Sequence, residues 1–300
     1  LYIRGQAADY NSWAQRGNPG WSYEDVLPYF KKSEHADANT DSVWRGTNDC
    51  LMSDYHGTGG PLNVSDIRSS YPILDQFTQA AEQCGFPRNV DFNGVTQEGF
   101  GYYQVTQKKG LRFSAKKAYI SPIKHRKNLT ILTHSHVTGL NFSENGKQIT
   151  GVRCLCRKAL LTLTARHEVI LSAGAIQSPQ ILELSGIGRP DILNRHGIAL
   201  RHELHGVGEN FSDHFISRLS WRLKRNVSLN DRAHGLQLAV EIARFVLTRR
   251  GVLSLPAGIL GGFVKSVPTL SEPDIQYHIA HASFENPAKR QFDRFPGFTI

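Results

Sequence analysis

The 300-residue sequence predicts an α/β fold, and three features carry that expectation. "SYEDVLPYFKKSEH" and "SSYPILDQFTQAAEQCGF" repeat apolar residues at helical spacing. From Asn128 the chain turns rich in β-branched and apolar residues around one Asn-Gly turn, the pattern of a β-meander. "EVILSA", residues 168–173, is mostly apolar, as suits a strand buried on both faces inside a parallel sheet.

In chain order, Ser22 caps the first helix. Glu24 and Asp25 suit its dipole, and Val26, Leu27 and Phe30 form its apolar face. "ADANTDSVWRGTNDCLMSDYHGTGGPLNV" has little periodicity and many turn residues, so it is expected to be a long surface excursion. In the next helix Ile73, Phe77 and Ala80 or Ala81 recur, and Gly85 ends it. "NLTILTHSHVTGLNF", "QITGVRCLC" and "LLTLTARHEVILSA" read as strands, with Asn145-Gly146 at a hairpin tip. In "GAIQSPQILELSGIG", Ser178 is the expected N-cap and Pro179 the first helical residue. Ile181, Leu182 and Leu184 are the buried side, and Gly186 is the stop, closed by Ile187. A helix over 178–185 packed on a strand over 168–173 follows. Gly174 admits close approach of either a ligand or a packed strand; the residues alone leave both open. "HGLQLAVEIARFVLTRRG" is a helix whose end is marked by its basic residues and Gly251, and "DIQYHIAHASF" alternates like a strand.

The formal charge is +9, densest in "KKGLRFSAKKAYISPIKHRK". No stacking-aromatic module accompanies that run, which argues against nucleic acid and leaves a solvated face or an anion-attracting lining. No apolar run of about 18 residues exists, so no integral membrane segment is expected. No secretory signal is present, and the first residue is Leu1 rather than Met, so further sequence is expected before it. The four cysteines, Cys50, Cys84, Cys154 and Cys156, are too few for a disulfide scaffold and read as reduced residues of a cytoplasmic protein. Cys154 and Cys156 share a strand face, but two ligands do not make a metal site. His134 with His136, and His278 with His281, have no obvious carboxylate partner and read as polar or partly buried residues. No complete G-x-G-x-x-G, P-loop, HExxH or GxSxG motif occurs.

"GAIQSPQILELSGIG" resembles the second sequence signature of the glucose–methanol–choline (GMC) oxidoreductases. "NPGWSYEDVLPYFKKSE", "HGTGGPL", "DFNGVTQEGFGYYQ", "GLRFSAKKAYI", "NLTILTHSHV" and "GVGENFSDH" are similar to segments of that family in its order. The likeness covers essentially the whole chain and leans to the bacterial alcohol and choline dehydrogenase branch. Tyr2, Gly5 and Asn11 fit the tail of the family's first signature.

The resemblance implies FAD as cofactor. It implies an alcohol as substrate, oxidised by hydride transfer to the flavin, and an external electron acceptor or oxygen. The fold implied is part of an FAD-binding nucleotide fold with a β-meander, plus a substrate domain on a mostly antiparallel sheet flanked by helices. The boundaries expected are 1–56 for a flavin-covering segment and surface excursion, 57–121 for the substrate domain, 122–214 for the FAD domain and 215–300 for the substrate domain again. Cofactor contacts are implied for Leu1, Tyr2, Val137, Ser172, Ala173, Gly174 and Ala175, and Tyr102, Tyr103 and Gln104 are placed on the substrate side. No metal is implied. The family's dinucleotide glycine loop is expected before Leu1 and its catalytic histidine beyond Ile300, so no catalytic residue is assigned here. Residues 1–300 alone are accordingly expected to hold FAD poorly and not to turn over. The alternatives are a truncated, non-functional product or a basic anion- or nucleic-acid-binding protein. Where most relatives carry a glycine-bearing hairpin turn, "RKALLTLT" has none, which leaves the strand register there open.

Overall fold

The structure, a computed structural model, describes residues 1–37, 54–256, 258–286, 289 and 291–300. It divides into two compact units, residues 1–125 with 217–300, and residues 126–216.

The first unit begins with α1 (Ala7–Gln15), where Asp9 accepts the Gln6 N–H at 2.8 Å. The helix α2 (Tyr23–Ser33) starts at Ser22, whose hydroxyl accepts the Asp25 N–H at 3.3 Å, as its capping sequence predicts. Its C-terminus runs straight into β1 (Glu34–Asp37), which pairs in parallel with β2 (Leu62–Ser65). These strands correct the expected surface excursion at both ends: Ala36, Asn63 and Val64 are buried. Its middle, residues 38–53, lies outside the described residues. Then come α3 (Pro72–Gln83) and β3 (Gly99–Tyr102), followed by a hairpin of β4 (Gln107–Lys108) and β5 (Leu111–Arg112). Leu74 and Ala81 bury the inner face of α3 against the sheet.

The second unit is built on the expected meander. β6 (Ser135–Phe142), β7 (Ile149–Cys156) and β8 (Ala159–Thr164) form one antiparallel sheet in that order. β6 starts seven residues after Asn128 (128 to 135), and Gly146 makes the first turn at φ 69°. The second turn needs no glycine. Cys156 pairs with Ala159, and Arg157 and Lys158 both take positive φ, 47° and 76°, as a two-residue hairpin turn requires. Beyond Thr164 the reading of the sequence fails. Residues 168–173 form no strand, and Ile170 is 77% exposed. An apolar run becomes a central strand only with a ladder partner on each side, and no described strand pairs with this one. The helix that follows, α4 (Gly174–Leu184), starts four residues earlier than expected (178 to 174). Ser178 is therefore inside it, and Pro179 lies in its second turn. Gly186 does stop it, at φ 84°, and leads into β9 (Ile187–Gly188). After α5 (Pro190–Arg195), β10 (His202–Glu203) pairs in parallel with β9.

The chain then re-enters the first unit with β11 (Ser220–Arg222), α6 (Leu229–Arg232) and α7 (Gly235–Thr248). α7 ends on Arg249 in the left-handed conformation (φ 56°), two residues before the expected Gly251. β12 (Leu260–Val264) is the centre of an antiparallel sheet, flanked by β3 and by the expected strand β13 (Ile275–Ile279). β14 (Phe284–Asn286) pairs with β15 (Gln291–Phe292), and β16 (Gly297–Thr299) pairs with β11.

β12 reads Leu-Gly-Gly-Phe-Val and is buried throughout. A Cβ on Gly261 would fall 2.1 Å from the Tyr103 ring, and one on Gly262 would fall 2.3 Å from the Phe100 ring. Two aromatic rings thus occupy space beside the central strand that only glycine leaves. We predict that Gly261→Ala lowers stability by about 1–3 kcal/mol through overpacking. Thermal unfolding should show a midpoint several degrees lower; an unchanged midpoint would mean Tyr103 moves aside freely.

Candidate functional site

Residues singled out by sequence fall into two groups, one in each unit. In the second unit, Val137 is half-buried on β6 opposite Cys154, beside a register shift between Val137 and Gly139. Ser172 to Ala175 form the entry to α4. The Ala173 N–H is taken by Ser178 Oγ at 3.0 Å, so the residue expected as the cap closes the turn from inside the helix. Ser185, at the other end of α4, holds the helix to β6: its Oγ accepts the Leu140 N–H at 2.9 Å and donates to the Ile181 carbonyl at 2.6 Å.

Gly174 is the first residue of α4, at φ 93°, and beyond its own turn no atom of the described residues lies within 4 Å of where its Cβ would be. No described strand packs against this glycine. α4 has no acidic side chain in its first turn. Backbone N–H groups at a helix start, with open space over a glycine, accept an anionic group at close range. A dinucleotide's phosphate or ribose edge fits that donor set.

In the first unit, Tyr2 and Gln104 are brought together. The Tyr2 N–H donates to the Gln104 carbonyl at 2.8 Å. Gln104 Oε1 accepts from Asn93 at 2.7 Å, while its buried Nε2 has no hydrogen-bond partner among the described residues. Leu1 is exposed beside it. Tyr102 and Tyr103 are buried. The Tyr102 hydroxyl donates to Asp75 at 2.9 Å, and the Tyr103 hydroxyl donates to the Tyr277 carbonyl at 3.1 Å. Burial pushes the Tyr103 phenol up to about 12, against the hydrogen bond from Gln276.

Behind Tyr2 lies a buried charge network that no local spacing announces. Arg4 Nη2 donates to Glu34 Oε2 at 2.6 Å, and Nη1 donates to the Tyr55 carbonyl at 2.6 Å. His56 stands between two carboxylates, with Nδ1 2.9 Å from Glu34 Oε1 and Nε2 2.8 Å from Asp91 Oδ2. Both ring nitrogens face acceptors, so both carry protons and the ring is an imidazolium. One arginine and one imidazolium then balance two carboxylates. Burial opposes that charge, but hydrogen bonds and charges from Asp91 and Glu34 outweigh it and raise the pKa to about 9.

His281 is the opposite case. It is buried, its ring lies 4.0 Å from that of Tyr71, and its Nε2 has no partner among the described residues. Burial, with Arg232 nearby, lowers its pKa to about 3. His134, His136 and His278 are exposed. No group of metal-ligating side chains occurs among the described residues.

Residues 1–216 match the GMC oxidoreductase family. The chain is 39% identical over 280 residues to an oxygen-dependent choline dehydrogenase of Pectobacterium atrosepticum, covering 92% of this chain and 48% of that protein. It is 37% identical over 284 residues to an alcohol dehydrogenase [acceptor] of Pseudomonas putida, covering 93% and 49%. Among solved structures, an FAD-dependent oxidoreductase from Chaetomium thermophilum superposes with a TM-score of 0.75 at 27% identity, covering 88% of this chain and 46% of that one. A formate oxidase, at 22% identity, shares the fold with a TM-score of 0.82, covering 99% and 55%. The chain belongs to the GMC oxidoreductase family, whose cofactor is FAD. It spans about half the length of the curated relatives it matches.

The two buried histidines set a pH dependence with opposite signs. The folded pKa of His56, about 9, lies above the ordinary value of 6.5, so its contribution is complete below pH 6.5 and is lost as pH rises through about 9. That of His281, about 3, lies below 6.5, so its contribution is complete above pH 6.5 and is lost as pH falls toward 3. We expect thermal midpoints to peak near pH 6.5 and His56→Gln to flatten the alkaline side, with a midpoint roughly 5 °C lower at pH 6.5. An alkaline limb unchanged in the variant would contradict this assignment.

Proposed function

We propose that this protein oxidises the CH–OH group of an alcohol with FAD, in the manner its relatives' names indicate. The observation that carries the reading is the start of α4: a glycine at φ 93° with open space above it and no acidic side chain in the helix's first turn. Segment 122–214 contributes to the FAD-binding domain, and 57–121 with 215–300 to the substrate domain. When bound, FAD supplies the acceptor for the hydride that leaves the alcohol carbon. Val137, through its backbone, and Ser172 to Ala175 hold the cofactor's nucleotide part. Leu1 and Tyr2 border the segment that covers the flavin, and Gln104 anchors that segment through the Tyr2 N–H. The unpartnered Gln104 Nε2 is a donor available to the cofactor or substrate side. Tyr102 and Tyr103 support that side from the core. An external electron acceptor or oxygen would take up the electrons that the alcohol gives to the bound cofactor. The three described cysteines are free, which supports a reducing, cytoplasmic setting.

The test uses the protein expressed from its complete gene. Gly174→Ala and Gly174→Val both place a Cβ at positive φ, at a backbone cost of about 1–3 kcal/mol that is somewhat greater for the branched valine. Only valine adds branched volume where the cofactor approaches. We predict at least a tenfold lower flavin occupancy for Gly174→Val than for Gly174→Ala, at thermal midpoints within a few degrees of each other. Equal occupancies would remove Gly174 from the cofactor site. A wild-type protein with no flavin spectrum and no dye-linked oxidation of choline or primary alcohols would overturn the reading.

A further inference from the structure

His56 is where two lines of contact to one residue meet. On its Nδ1 side, Glu34 Oε1 lies 2.9 Å away, and Oε2 of the same carboxylate accepts from the Arg4 guanidinium at 2.6 Å. On its Nε2 side, Asp91 Oδ2 lies 2.8 Å away, and Oδ1 of that carboxylate accepts the Asn93 N–H at 3.0 Å. Asn93 Oδ1 then accepts the Arg4 N–H at 2.7 Å. One arm therefore holds the side chain of Arg4, and the other holds its backbone. Arg4, Glu34, His56 and Asn93 are all buried, and all belong to the first unit, so the arrangement does not rest on an open surface.

Arg4 passes this hold to Tyr2. Its Nε donates to the Tyr2 hydroxyl at 3.2 Å, and its guanidinium carbon stands 5.6 Å from the centre of the Tyr2 ring. Asn93 Nδ2 donates to the Tyr2 carbonyl at 3.3 Å. Serving both arms at once requires a ring that donates from both nitrogens, which the imidazolium does. A neutral ring keeps one N–H and turns a lone pair toward a carboxylate, so one arm opens. Arg4 is then the one cation of the set against two carboxylates, and a buried negative charge is left uncompensated.

We propose that His56 is a positioning residue for the cofactor: its two-sided hold on Arg4 seats the segment that covers the flavin, and neutralising the ring releases that segment while the core of the unit stays packed. The inference rests on the FAD reading above, because it takes Leu1 and Tyr2 as bordering that cover. The core is apolar packing around β12 and does not include the ring. The charged groups facing the ring are Glu34 from β1, Asp91 from the loop before β3 and Arg4 from the N-terminal segment. Tyr55, which precedes the ring, gives its carbonyl to Arg4. Tyr2 and Tyr23 of α2 share this field, and burial pushes both phenols up, so they stay neutral where His56 titrates. The folded pKa of His56, about 9, lies above the ordinary 6.5, so the hold is complete below pH 6.5 and is lost as pH rises through about 9.

The test follows release of flavin from the protein expressed from its complete gene, between pH 6.5 and about 9 and well below the thermal midpoint. Circular dichroism is recorded at each pH. We expect the wild-type release rate to rise tenfold or more over that range with an unchanged far-ultraviolet spectrum. His56→Gln, neutral at every pH, should release flavin about tenfold faster than wild type at pH 6.5 and show no further rise. Ile279→Val thins the core of the same unit, so it should lower the thermal midpoint by a few degrees and keep the wild-type pH profile. Flavin-loaded wild-type protein whose release ignores pH, or His56→Gln with the wild-type profile, would overturn this inference and leave the FAD reading standing. So would loss of the far-ultraviolet spectrum in His56→Gln, or in the wild-type protein over this range, which would assign the ring to folding of the whole unit. Wild-type protein that binds no flavin at any pH would overturn the FAD reading, and this inference with it.

Discussion

The first unit depends on one buried ionic junction. Arg4, Glu34, His56 and Asp91 come from four distant places in the chain; the first three are buried, and Asp91 closes the set at its partly exposed edge. An isolated charge in such a place is costly, so the four are stable only as a set. The junction ties the N-terminal segment to β1, to the turn before β2 and to the loop before β3. Arg4 is also held through its backbone: its N–H donates to Asn93 at 2.7 Å, and its carbonyl accepts from Gln97 at 3.1 Å. Asn93 in turn reaches Gln104, which holds Tyr2. Charge pairing at the bottom of this stack therefore fixes the segment that the proposed function places over the flavin. Replacing Glu34 by a neutral isostere leaves Arg4 and the imidazolium partly unopposed, at a cost of about 3–5 kcal/mol.

The rest of the unit is held by apolar packing. Phe100 on Gly262 packs in one cluster with Leu74 of α3, Leu260 and Ile279, and Tyr103 on Gly261 packs in another with Phe92 and Phe263. The second unit is slighter. Its meander buries Leu140 and Cys154 but leaves every residue of β8 exposed, and the Ser185 hydroxyl is what fastens α4 to β6. The two units thus place their candidate residues by different means. One uses a buried charge lattice, and the other a helix start with open space above it.

The elements legible in the sequence were those whose signals are local. Ser22 with Asp25 announces α2, the repeat through Ile73 and Phe77 announces α3, and Asn145-Gly146 announces the first meander turn. The second meander turn was not legible, because Arg157 and Lys158 reach positive φ without glycine or asparagine. "EVILSA" misled for a physical reason: an apolar run states that burial would be favourable, not which strands exist to provide it. α4 began early because Ser178 bonds back to Ala173 from within the helix, a geometry that an N-cap reading cannot anticipate. The candidate site positions, among them Tyr2, Val137 and the turn at Gly174, rest on the family's motifs. The junction beneath Tyr2 was not legible, since Glu34 and Asp91 approach His56 across 22 and 35 residues of chain.

Hydrogen–deuterium exchange of Glu34→Gln against the wild-type protein tests most directly whether this junction organises the first unit. Removing one carboxylate should loosen every segment the junction ties and nothing that it does not. The account predicts faster amide exchange at residues 1–5, 54–60 and 89–94, with residues 135–164 unchanged. Exchange that stays at wild-type rates in those three segments, or that rises uniformly through both units, would contradict it.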